Sequence, residues 1–235
     1  MAEDRQTIAS EKAAIDIGGR DQVSAILSGP ERASEMNPTG VIVAHGAGND
    51  MHNPLIVAVA EGLAAAGSAT LRFNFPYKEK GRKSPDSQNK LIHTWQCVCE
   101  YFMGNPTFPV RRVIAAGKSM GGRVASQMVA GAQMDAAALI FLGYPLHAPG
   151  KKNQLRDAHL YQIKKPMLFF AGTKDPLCDV EKLNSVLARL TCDHDLDIID
   201  GGNHSLKLPK SSPRSEADVH RQVVEKCVGW VEQLG

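Results

Sequence analysis

No charge of one sign dominates this chain: 27 lysines and arginines stand against 25 aspartates and glutamates, a net charge of +2. A field that weak gives no argument for nucleic acid as a partner. No apolar run is long enough to cross a bilayer, which takes about 20 residues. The run 136–142, bounded by Asp135 and Gly143, reads instead as a buried strand. The five cysteines are odd in number and scattered, and Cys97 and Cys99 stand two apart on an expected helix, where they point in different directions. A disulfide framework is therefore not expected, and a reduced, cytoplasmic chain is. The first residues, MAEDRQTIASEK, lack the apolar centre of a secretory signal. Repeats and low-complexity segments are also missing.

What is present is an ordinary globular composition, 43% hydrophobic and 22% charged, in 235 residues. That length suits one domain, residues 1–235, with a full core. Residues 13–17 and 22–27 flank Gly18-Gly19-Arg20-Asp21 and predict an antiparallel hairpin at one sheet edge. From there apolar strands alternate with helical patterns. Strands are expected at 41–44, 69–75, 110–116, 137–142, 166–171 and 196–199, and helices at 55–66, 91–103, 122–129, 180–190 and 217–234. Such alternation predicts a mostly parallel, doubly wound α/β sheet covered on both faces. Two stretches, 77–86 and 144–155, fit neither pattern and read as loops. The first is basic, and its simplest reading is a solvated surface excursion, with contact to a substrate as the rival.

Gly117-Lys118-Ser119 raises a choice. A phosphate-cradling loop needs GxxxxGKS, but Arg112 occupies the earlier glycine position and a strand runs straight into the turn. Shifted in frame, Gly117-Lys118-Ser119-Met120-Gly121 is GxSxG between strand and helix, the nucleophile-elbow pattern. Glycine and serine are too common for the pattern alone to decide. The decision rests on what stands at the other strand ends, because ligands of open α/β sheets bind beyond the carboxyl ends of the strands.

Asp175 follows the strand at 166–171, and His204 follows the strand at 196–199. With Ser119 they run in the chain order Ser, Asp, His. A serine hydroxyl needs a base, histidine titrates near neutrality, and a carboxylate fixes the imidazole's tautomer. Asp179 is a rival acid, but it directly precedes a helical run, where aspartate caps free backbone N–H groups. The oxyanion donors are expected to be the backbone N–H groups of Ala47 and Met120. His45, Phe75, Tyr144 and His147 lie at the same end and are read as substrate-lining residues.

The segments HGAG (45–48), RFNFPY (72–77), GKSMGGR (117–123), GTKDPL (172–177) and GNHS (202–205) resemble those of the α/β-hydrolases, in particular the compact dienelactone-hydrolase-like branch of small serine hydrolases. The resemblance covers nearly the whole chain. It implies an α/β-hydrolase fold and a Ser119, Asp175, His204 triad, with no metal or organic cofactor. Dienelactone hydrolases carry a cysteine where this chain has Ser119, so their substrate does not carry over. Some members of the branch belong to chromatin complexes, which gives the alternative of a non-catalytic interaction module with a vestigial triad.

The expected activity is cleavage of an ester, thioester or related acyl bond of a small substrate. The short span between the strands at 137–142 and 166–171 leaves no room for a large lid domain. The expected partner is a small acyl compound in solution, with neither nucleic acid nor membrane, and the expected state is a monomer or weak homodimer.

Overall fold

The computed structural model describes residues 7–31 and 37–234. Its frame is an eight-stranded sheet of order β1-β2-β4-β3-β5-β6-β7-β8. The strands are β1 (Ile8–Asp16), β2 (Gln22–Pro30), β3 (Asn37–Ala44), β4 (Ser68–Phe73), β5 (Arg112–Lys118), β6 (Ala138–Leu142), β7 (Met167–Gly172) and β8 (His194–Ile199). The first two form the expected hairpin, and β2 also runs antiparallel to β4. Every other pairing is parallel. The expected doubly wound α/β arrangement is therefore present.

The inner parallel strands β6 and β7 are apolar throughout because both of their faces are covered. Along β5, Val113 and Ala115 join one core, which includes Trp95, Phe102, Phe141 and Phe169. Their neighbours Ile114 and Ala116 join the other, with Ile56, Val59, Val223 and Trp230. This is the two-residue alternation of side chains across a strand. The first core is closed by α3 (Gln88–Met103) and α4 (Met120–Ala130), the second by α1 (Pro54–Ala65) and α6 (Glu216–Gln233). Helix α6 begins with a capping box between Ser215 and Asp218.

The basic stretch 77–86 departs from the expected loop by opening with a short helix, α2 (Pro76–Glu79). Pro76 sits at its start, where a fixed φ suits a helix and no N–H is needed. Several charges of this segment are matched within the fold. Lys80 pairs with Asp21 in the β1–β2 turn, Arg82 with Asp86, and Glu79 accepts the N–H of Ser24.

The winding direction reverses at β3, which has β4 on one side and β5 on the other. A crevice opens outside the carboxyl ends of strands at such a reversal. The segments leaving it there are 45–53, after β3, and the elbow after β5. The connection from β6 to β7 carries only a short 3-10 turn, Leu160–Gln162. Among the described residues no large lid domain covers this end.

Candidate active site

Ser119 stands between β5 and α4 with φ 49° and ψ −113°, a backbone conformation that side-chain-bearing residues rarely adopt. The turn closes that sharply only because its neighbours are glycines. A Cβ on Gly117 would lie 2.3 Å from the nitrogen of Gly122, and one on Gly121 would lie 2.7 Å from the carbonyl oxygen of His45. Gly117-Lys118-Ser119 is thus an elbow and not a phosphate cradle. Its hydroxyl lies 2.8 Å from His204 Nε2. On the other side of the ring, His204 Nδ1 is 2.8 Å from Asp175 Oδ2.

Each partner is held from behind. Asp175 Oδ1 accepts the N–H of Leu177 at 2.7 Å, and its carboxylate is fully enclosed. His204 is carried by a tight turn that Asn203 organises, since its side-chain oxygen accepts the N–H groups of Ser205 and Lys207. Leu206, at φ 58°, anchors the turn in the core. The loops after β7 and β8 are also zipped together. Lys174 donates its N–H to Gly202 O at 2.9 Å, and a Cβ on Gly172 would lie 2.1 Å from that same oxygen. A side chain there would push the acid away from the histidine.

Asp179 takes the other role. It is the N-cap of α5 (Val180–Leu187), accepting the N–H of Lys182 at 3.2 Å and pairing with Lys152 at 2.6 Å. The contact to Lys152 and the backbone hydrogen bond hold its carboxyl below the usual range. Its described hydrogen bonds and ion pair do not include His204.

The four side chains expected to line a substrate pocket are enclosed in the fold. His45, Phe75, Tyr144 and His147 are all buried. The strand ends gave their position but not the direction of their side chains. Phe75 N–H donates to His45 Nε2 at 3.0 Å, so Nδ1 carries the proton and donates to Gly46 O at 2.8 Å. Burial pulls the His45 pKa down to about 4, keeping the ring neutral. His147 repeats the arrangement: Asp179 N–H donates to its Nε2 at 3.1 Å, and its Nδ1 donates to Ala148 O at 3.0 Å. Tyr144 donates its hydroxyl to Arg156 O at 2.7 Å and packs edge-on to Phe141.

These buried groups shape the segment at 45–48. Gly46 O accepts from His45 Nδ1, from the Tyr77 hydroxyl at 3.3 Å and from Asn49 N–H at 3.2 Å. A trans peptide sets its C=O and the next N–H on opposite sides. Fixing the Gly46 carbonyl therefore also fixes the direction of the Ala47 N–H. Across the crevice, Met120 is the first residue of α4, so its N–H has no partner within the helix. Gly46 sits close against the elbow, where a Cβ would lie 3.2 Å from that of Ser119.

Residues 37–232 match the model of an α/β-hydrolase domain. The chain belongs to the α/β-hydrolase family. Its structure is similar to that of Est1E from Butyrivibrio proteoclasticus with bound ferulic acid, at a TM-score of 0.75 and 21% identity over 94% of this chain and 98% of that one. It is also similar to a dienelactone hydrolase from Anabaena variabilis (TM-score 0.73, 21% identity, 96% and 98% covered). A third is a Xanthomonas campestris protein described as an α/β serine hydrolase without a lid (TM-score 0.72, 19% identity, 95% and 94% covered). These likenesses concern the fold, including its dienelactone-hydrolase-like compactness. No group of histidine, cysteine and acidic side chains among the described residues could hold a metal ion. No helix among them is long and apolar enough to cross a membrane.

Proposed function

We propose that the protein is a serine hydrolase that cleaves an ester, thioester or related acyl bond of a small substrate. The observation that carries this reading is the chain of two 2.8 Å contacts linking Ser119 Oγ to His204 and His204 to Asp175. In the first half-reaction His204 Nε2 takes the proton of Ser119 as Oγ attacks the acyl carbon. The oxygen of the former carbonyl becomes an anion, and the N–H groups of Ala47 and Met120 stabilise it. His204 then gives the proton to the departing alkoxide or thiolate, leaving the acyl group on Ser119. In the second half a water loses a proton to His204, attacks the acyl-enzyme and releases the acid, and the proton returns to Ser119 Oγ. Asp175 stays ionised throughout and stabilises the imidazolium.

The absence of a large lid among the described residues supports a small substrate that arrives from solution. It also fits turnover that shows no jump at a lipid interface. The test is hydrolysis of p-nitrophenyl esters of graded chain length by wild type and by Ser119→Ala. Turnover by wild type and its loss in the folded variant are expected. Equal turnover by the two proteins would remove Ser119 from the chemistry.

A further inference from the structure

Lys118, the residue between the elbow glycine and Ser119, has no part in the mechanism above. It is the last residue of β5 and lies in register beside Leu142 of β6. Its side chain falls on the strand face shared by Ile114 and Ala116, and the residue is only 3% exposed. A leucine or methionine would fill that space without the cost of burying an ammonium group. The lysine's Nζ donates to the carbonyl oxygen of His204 at 3.4 Å. Burial disfavours its charge and lowers its pKa; of the charged groups that face it, Asp175 favours the charge and Lys207 opposes it. Asp175 is enclosed, with one oxygen on Leu177 N–H and the other on His204.

We propose that Lys118 is a positioning residue: its buried ammonium ties down the backbone of His204 and balances the charge of Asp175, which keeps His204 neutral and aimed at Ser119. The inference rests on the hydrolase reading given above. Two effects follow from one group. As a donor it limits movement of the turn that carries the base. As a cation it opposes protonation of His204, so the base is free at a lower pH than Asp175 alone would allow.

The experiment measures the rate of Ser119 labelling by a fluorophosphonate probe against pH, in wild type, Lys118→Met, Lys118→Gln and Lys118→Arg, each checked for folding by circular dichroism. The glutamine keeps a donor but loses the charge, and the arginine keeps the charge. Removing a nearby cation should raise the midpoint of the acid limb by about one pH unit in the methionine and glutamine variants. On the acid limb their labelling should therefore fall by up to about tenfold relative to wild type at the same pH. The arginine variant should keep the wild-type midpoint. A folded Lys118→Met with an unchanged midpoint overturns the inference while leaving the hydrolase reading intact. Wild type that is not labelled at all overturns the hydrolase reading first. Should the neutral variants fail to fold, carbon-13 NMR of the lysine ε-methylenes decides the matter in wild type and Asp175→Asn. A lysine that titrates below the others, and lower still in Asp175→Asn, supports the inference. Lysine signals indifferent to Asp175→Asn overturn it.

Discussion

Three histidines stand at the carboxyl ends of the strands, and they differ in what meets their two ring nitrogens. His204 has a carboxylate on one nitrogen and a serine hydroxyl on the other. His45 and His147 each have a backbone N–H on one nitrogen and donate to a backbone carbonyl with the other. His204 keeps part of its side chain in contact with solvent, whereas the other two are enclosed. An imidazole whose nitrogens are both committed to the main chain cannot take a proton without breaking a hydrogen bond. One placed between a carboxylate and a hydroxyl gains from taking it. The same residue type is thus placed to act as a base in one setting and as a hydrogen-bonding staple of the main chain in the other two.

Mutation should separate the roles. His204→Ala is expected to lower ester turnover by several orders of magnitude, down to the residue left by binding and oxyanion donors alone, about 10³- to 10⁴-fold above water. Circular dichroism should show an intact fold. Next in size, Asp175→Asn should cost up to about ten-thousand-fold in kcat, by analogy with the same change in a serine protease, because asparagine favours the wrong imidazole tautomer. Asp179→Asn should leave turnover within a few-fold, since asparagine caps a helix about as well as aspartate. A crippled Asp179→Asn beside an active Asp175→Asn would reverse the assignment of the two carboxylates.

The staple histidines should show themselves in stability more than in chemistry. His45→Ala leaves Phe75 N–H without a partner, and an unsatisfied buried group costs about 1–3 kcal/mol, readable as a lower midpoint in urea unfolding. His45 should also make the protein sensitive to acid. Its folded pKa, about 4, lies below the unfolded value of about 6.5, so the unfolded chain binds the proton more tightly. Stability is therefore unaffected above the unfolded value and is lost as pH falls from about 6.5 toward about 4, with a limit of about 3 kcal/mol. Comparing the pH dependence of unfolding between wild type and His45→Gln checks this, and the glutamine variant should lose less stability over that interval.

Much of this was legible in the sequence, and the limits have physical causes. The elbow could be read because a strained turn restricts its residue types, and Gly117 and Gly121 leave a visible pattern. Asp175 could be separated from Asp179 because a residue directly ahead of a helical run is placed to cap it, as Asp179 does. The side-chain directions of His45, Phe75, Tyr144 and His147 could not be read, since being at a strand end does not say whether a ring turns toward the crevice or into the core. Asn203 and Leu206 were missed as well. The signal for Asn203 was its place after Gly201-Gly202, where turn-forming residues gather, but only the two hydrogen bonds it accepts show that it shapes the turn bearing His204. The buried course of Lys118 was hidden by a motif that first suggests phosphate. The short helix α2 was overlooked because its charges mask the proline that starts it.

The central claim is that Ser119 is an activated nucleophile, and covalent labelling tests it most directly. Wild-type protein is treated with a fluorophosphonate at neutral pH, digested and mapped by mass spectrometry, alongside Ser119→Ala and His204→Ala. The account predicts stoichiometric modification at Ser119, none in Ser119→Ala and greatly slowed modification in His204→Ala. A folded wild-type protein that resists the probe, or one modified equally well without His204, would contradict it.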